Sequence, residues 1–208
     1  MAERLIRSVL NNKDKQSTYS KNMKQYKKAM ASEFFFEAML IDYAMLEDRL
    51  SSFLYHIALL QSRDSFKVDN EKVIPEVKTI VAEYKNKDEN SSLSIKGISG
   101  KMKIVGCTLL WAITCEELPN SQYLEELKKQ YENTLNVQDV LNKLDEITAW
   151  CAYRYEVIHA LLNKNTRSLM EELPWQAKRG MDLARFMDSQ VKKLRAGNVI
   201  RRKLKLQS

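Results

Sequence analysis

Apolar residues recur at steps of three and four along most of the chain. This period places them on one face of an α-helix. The pattern is clearest over residues 19–60, where Met39, Leu46 and Phe53 follow one another at seven-residue steps, and again over 137–164. No segment shows the alternation of apolar and polar residues that is typical of a half-exposed strand. The pattern therefore predicts an all-α protein, a bundle of long antiparallel helices.

The boundaries of the predicted elements follow from prolines, glycines and polar stretches. We expect helices over residues 3–10, 19–60, 75–84, 101–114, 122–135, 137–164 and 174–195. Residues 85–100 are polar and contain two glycines, which predicts a loop. A length of 208 residues is typical of one domain, so we predict a single helical domain over 1–208 with its core at about 19–196.

The composition narrows the classes of site and the compartment. The chain has three cysteines, Cys107, Cys115 and Cys151, and two histidines. No pair of them has the spacing of a zinc site, so we expect no metal and no cofactor. The odd number of unpaired thiols indicates a reducing compartment. No apolar stretch reaches the ~20 residues that span a bilayer, and the first ten residues do not resemble a signal peptide. The sequence therefore predicts a cytoplasmic protein without a membrane partner.

The net charge of +7 is concentrated at the two ends. Residues 1–30 carry eight Lys or Arg against two acids, and residues 191–208 carry seven against none. Basic segments of this kind supply the phosphate contacts of nucleic-acid-binding proteins, although they also serve as solubilising tails. We therefore predict RNA as a partner. The proposed contacts are Lys192, Lys193, Arg195, Arg201 and Arg202.

The stretch Tyr153–Ala160 contains the main candidate for chemistry. His159 follows Arg154 by five positions, within the long predicted helix over 137–164. Histidine titrates near neutral pH and exchanges protons there, whereas arginine is a permanent cation that matches a phosphate. Together these two residue types suffice for RNA cleavage in which the 2′-hydroxyl is the nucleophile. Tyr155 and Glu156 are expected to orient them.

Arg-Tyr-Glu-Val-Ile-His at 154–159 resembles the Rx4-6H motif of the HEPN superfamily of helical proteins. This resemblance implies a metal-independent endoribonuclease that acts on single-stranded RNA as a homodimer. It also implies a toxin or an effector of antiviral defence, with a cognate antitoxin or regulatory protein as a further partner. The sequence departs from the common pattern at Tyr155, where the family usually has Asn or Asp.

Helix geometry argues for the dimer independently. Five residues on a helix turn through about 500°, so Arg154 and His159 point about 140° apart. A two-fold axis beside this helix would bring two copies of each residue into one cleft. The motif is flanked by apolar residues that cover more than one face of the helix, and we expect them to serve both the core and this interface: Trp150, Val157, Ile158, Leu161 and Leu162.

Alternatives remain at the level of both site and function. Arg49 and His56 also satisfy the spacing, and lie seven residues apart on nearly the same face, but His56 stands in an apolar stretch that indicates core. The three tryptophans are interpreted as core or interface residues rather than as a surface for stacking bases. Besides the nuclease, two classes stay open: an inactive RNA- or nucleotide-binding module, and a structural helical interaction protein.

Overall fold

A computed structural model describes residues 12–60, 71, 73–85, 93, 95–160, 167–197 and 200–204. Within these ranges all regular structure is helical, which confirms the predicted all-α class. The helices are α1 (Asn12–Ala31), α2 (Phe35–His56), α3 (Ile74–Lys85), α4 (Gly97–Thr114), α5 (Gln122–Thr134), α6 (Val137–Ala160), α7 (Arg167–Ala196) and α8 (Ile200–Lys203).

The prediction of one helix over 19–60 was wrong, because the chain turns between α1 and α2. Glu33 adopts a φ of 58°, in the left-handed region that ends helices. The Phe34 N–H reaches back to the Ala29 carbonyl at 2.8 Å and satisfies a carbonyl at the end of α1. The apolar period continues across this break, and for that reason the sequence pattern did not reveal it.

The remaining boundaries differ from prediction by a turn or two. α4 begins at Gly97, within the predicted loop, and α7 begins at Arg167, so that Pro174 lies inside the helix. The predicted helix over 3–10 and the last residues of the one over 137–164 lie outside the described residues.

The core forms where α2 and α7 pack along each other. α2 also contacts α1 and α4, while α6 fills the space between α4 and α7. Gly180 in α7 permits the closest approach of three helices. A Cβ atom there would lie 2.5 Å from Trp150 of α6 and 2.8 Å from the Asp42 carboxylate of α2, which is nearer than real atoms pack. The Trp150 indole N–H donates to the Gln176 carbonyl at 2.8 Å, which fixes α6 against α7.

Candidate functional site

Helix α6 has one face in the core and one open face. Val140, Leu144, Ile147 and Trp150 are buried against α4 and α7. The open face carries, at three- and four-residue steps, the exposed residues Gln138, Asn142, Asp145, Ala149, Ala152, Tyr155, Glu156 and His159.

The burial of α6 corrects part of the predicted dimer interface. Trp150 is fully buried and Val157 is 1% exposed, so both belong to the core of one protomer. Ile158 is half-buried, and Leu161 and Leu162 lie outside the described residues. Among the described residues, the surface of α6 that a second copy could contact is therefore the open face, and Trp150 and Val157 are excluded from it.

His159 lies on the surface, one residue before the end of α6. Its ring packs against the ring of Tyr155, with centroids 4.0 Å apart and planes inclined by 51°. Tyr155 is itself 62% exposed. A histidine in the core would be enclosed and satisfied by neighbours. His159 instead presents its imidazole to solvent, where a substrate can reach it.

Arg154 points to the other side of α6, towards α2. Its guanidinium carbon lies 3.9 Å from the centroid of the Tyr43 ring, a close cation–π contact. The side chain is half-buried, and its Nε is shielded from solvent without a hydrogen-bond partner. Among the described residues, no carboxylate pairs with Arg154. Its donors are therefore uncommitted, which is uncommon for an arginine at this depth.

The structure does not bring Arg154 and His159 together within one protomer. Each contacts a different aromatic ring, Tyr43 and Tyr155 respectively, as the spacing of about 140° on the helix requires. Glu156, the other predicted supporting residue, is exposed on the open face. One chain therefore does not place the two predicted catalytic side chains at a common point.

The alternative pair, Arg49 and His56, is engaged in the packing of α2. An Arg49 amino group donates to Asp188 of α7 at 2.6 Å, and the other pairs with Asp48. Burial alone would raise the pKa of Asp188, but hydrogen bonds from Lys192 and Arg49 bring that pKa below its ordinary value. His56 is 2% exposed, which confirms its assignment to the core.

The basic residues at the C-terminal end divide into two groups. Lys192, Lys193, Arg195 and Arg202 are exposed, and Lys192 pairs with Asp188 at 2.7 Å. Arg201 was expected to contact RNA, but it is 3% exposed. It donates to the carbonyls of Leu60 at 2.8 Å and Tyr55 at 3.3 Å. Arg201 thereby stabilises the end of α2, and its predicted role in RNA binding is wrong.

The exposed basic group is remote from the α6 motif. α6 and α7 run antiparallel, as the contacts from Trp150 to Gln176 and from Lys143 to Phe186 show. The C-terminal part of α6 therefore lies beside the beginning of α7, whereas Lys192 lies near its end. Glu172 of α7 marks the level of the motif, because it interacts with Tyr153 of α6. Twenty residues of helix separate Glu172 from Lys192, a distance of about 30 Å.

Sequence reasoning missed Trp175. Trp111 and Trp150 are 5% and 0% exposed, in agreement with a core assignment, but Trp175 is 56% exposed. The Arg179 guanidinium lies 5.1 Å from the centre of its indole. The sequence did contain a sign that Trp175 is exposed. It lies between Pro174 and the mostly polar segment Gln176–Arg179, and it has no apolar residue one helical turn after it.

Other chemistries find little support among the described residues. No group of three or more His, Cys, Asp or Glu side chains there is placed to hold a metal ion. Burial raises the pKa of the Cys151 thiol to about 11, which makes it a poor nucleophile. None of the described helices is both long and apolar enough to cross a membrane.

Models of known protein families, curated proteins and solved structures were compared with the chain, and none of them matches it.

Proposed function

We propose that the protein is a metal-independent endoribonuclease of the HEPN type, which cleaves single-stranded RNA as a two-fold dimer. The observation that carries this proposal is the state of the two motif residues. His159 is exposed beside Tyr155, and Arg154 is a half-buried cation without a carboxylate among the described residues. Both side chains therefore remain able to contact a substrate, whereas Arg49 is held in ion pairs and His56 is buried.

The proposed reaction needs a proton acceptor, a proton donor and a cation. The RNA 2′-hydroxyl attacks the adjacent phosphorus and loses its proton to a base, while the bond to the 5′-oxygen breaks and that oxygen gains a proton. His159 is the group for proton transfer. Arg154 neutralises the charge that develops on the phosphate. The products are a 2′,3′-cyclic phosphate and a free 5′-hydroxyl, so no water is consumed in this step.

The separation of Arg154 from His159 within one protomer supports the proposed dimer. Ala149 and Ala152 give the open face of α6 a flat central region, on which a second α6 could pack closely. If the two α6 helices run parallel about the two-fold axis, their Tyr155–His159 ends would lie beside each other, and a phosphate in the cleft would meet His159 from both protomers. Arg154 contacts Tyr43 on the opposite side of α6, so its side chain would have to leave that ring to reach the same phosphate. The interface should bury on the order of 1,200 Å² or more in total.

The test is cleavage of labelled single-stranded RNA in the presence of EDTA. His159→Ala should reduce the rate by about two orders of magnitude or more, the usual scale for loss of a general acid or base. Gln138→Ala is the matched control, because it removes an exposed side chain from the open face of α6 about six turns away from His159. The active protein should sediment as a dimer at micromolar concentration.

Two results would contradict the proposal. One is a His159→Ala protein that retains its helical content and cleaves RNA at the wild-type rate. The other is a monomer that cleaves RNA as fast as the wild type, since a single protomer holds Arg154 and His159 apart.

RNA binding without cleavage is the second candidate, and the separation of Arg154 from His159 within one protomer favours it. A binding module would depend on charge rather than on proton transfer. It would therefore retain its affinity for RNA after His159→Ala and lose affinity as Lys193 and Arg195 are neutralised, with no products formed by either protein.

A further inference from the structure

A surface groove lies between α6 and α7, away from the Arg154–His159 motif. It encloses about 380 Å³, within the range of small-ligand pockets. Its walls include Lys143 of α6 and Trp175, Lys178 and Arg179 of α7. Antiparallel packing places the groove between the C-terminal end of α6 and the exposed basic end of α7.

The groove is lined by an exposed aromatic ring, that of Trp175. A tryptophan that served only packing would be enclosed, as Trp111 and Trp150 are. Trp175 instead exposes 56% of its surface, with Arg179 beside the ring. An exposed indole next to a guanidinium is the arrangement on which nucleobases stack in proteins that bind single strands.

The charges around Trp175 favour an anion. The carboxylate of Glu146 is shared by Lys143 at 2.6 Å and Arg179 at 3.8 Å, and Asp182 pairs with Arg185 at 3.6 Å. Both acids of the groove are therefore neutralised. Lys178 is exposed, and it pairs with no acid among the described residues.

We propose that this groove binds a nucleotide, with the base stacked on Trp175 and the phosphate held by Lys178 and Arg179. The nucleotide is either free in solution or an unpaired residue of an RNA strand. In the second case the inference rests on the proposed function, because the groove would then hold the strand whose phosphate reaches His159. The aromatic ring supplies the affinity for the base, and the two cations supply the preference for a phosphorylated ligand.

The experiment measures binding of adenosine 5′-monophosphate by calorimetry and by tryptophan fluorescence. Trp175 is the one tryptophan that a stacked base can reach, since the other two are buried. We expect the nucleotide to quench its emission. Trp175→Ala should weaken binding about tenfold or more, the scale for loss of one stacking contact. Trp175→Phe should retain most of the affinity in calorimetry because it keeps an aromatic face.

A second experiment tests the contact between Lys178 and the phosphate. Lys178→Gln should weaken binding of adenosine 5′-monophosphate severalfold and leave binding of adenosine unchanged. Lys129→Gln is the matched control, because it removes an exposed lysine from α5, outside the groove. Equal effects of Lys178→Gln and Lys129→Gln would overturn the assignment of the phosphate.

A third experiment distinguishes a free nucleotide from a residue of an RNA strand, and it does not depend on whether the protein cleaves RNA. The His159→Ala protein is titrated with a short single-stranded RNA, which it should leave intact. Binding of both ligands through Trp175 supports a site for nucleotides in general, whereas binding of the RNA alone supports a site on the strand. Absence of quenching by either ligand, or affinities unchanged by Trp175→Ala, would overturn the inference even if RNA cleavage is observed.

Discussion

Two regions of the molecule contain an arginine and a histidine at similar spacing, yet their environments are opposite. Between α2 and α7, Arg49 is held by Asp188 and Asp48, and His56 is buried. At the end of α6, Arg154 rests on a tyrosine without a carboxylate among the described residues, and His159 faces solvent. The same short pattern thus marks a structural ion pair in one place and available chemical groups in the other. Environment, and not spacing, separates them.

The largest effect on stability is expected from Asp42, which lies between α2 and α7 without the charged partner that Arg49 has there. This carboxylate is 0% exposed, and neither oxygen has a hydrogen-bond partner. Burial raises its pKa to about 8, against a lowering by Arg185. The unfolded chain loses this proton near the ordinary value of 3.8. Stability should therefore fall as the pH rises from about 4 to about 8, by up to about 1.4 kcal/mol per pH unit.

Urea unfolding at several pH values tests this prediction. Asp42→Asn keeps the shape of the side chain and carries no titratable proton, so the decline between pH 4 and 8 should become shallow. Asp182→Asn is the control, because it removes a neighbouring carboxylate that is exposed. Identical pH profiles for wild type and Asp42→Asn would show that Asp42 is ionised and solvated in the folded protein.

The two arginines should separate stability from activity. Arg49→Met should lower the free energy of unfolding by about 2 kcal/mol, because Asp188 and Asp48 lose a buried partner while Lys192 still contacts Asp188. Arg154→Met loses the cation–π contact with Tyr43 but also removes a buried Nε that has no partner, so it should change stability by about 1 kcal/mol or less. RNA cleavage should respond in the opposite order. Loss of cleavage on Arg49→Met in a protein that is still folded would transfer the site to α2.

The smallest effects should come from the C-terminal basic residues. Arg201→Gln should cost about 1 kcal/mol of stability, since the carbonyls of Tyr55 and Leu60 lose a charged donor. Lys193→Gln should leave stability unchanged. It should make the negative slope of log affinity for RNA against log salt less steep by about 0.7. Thermal unfolding and RNA titrations at several salt concentrations distinguish the two. A salt slope unaltered by Lys193→Gln would assign this end of the molecule to solubility alone.

Sequence periodicity predicted the helices well, because amphipathic spacing is a local property of the chain. The break at Glu33 was missed since apolar positions on both sides keep the same period. Which of two Arg–His pairs is buried depends on residues far away in sequence, such as Asp188, which lies 139 positions from Arg49. The burial of Arg201 depends on tertiary packing in the same way, and no local pattern reports it, whereas the polar neighbours of Trp175 are a local sign of its exposure.

Gly180 determines the axial register of α7. It is the one glycine in that helix, and only there do Trp150 and Asp42 find room against the backbone. A slip of one turn, about 5.4 Å, would place a residue with a side chain at this junction, so α7 has a single allowed position along its neighbours. The residues on its surface therefore have fixed positions relative to the neighbouring helices. Trp175 and Lys193, eighteen residues apart on the same side of α7, stand about 27 Å from each other. Any strand that contacts both must span at least this distance, whereas Gly180 fixes where the two residues lie relative to α2 and α6.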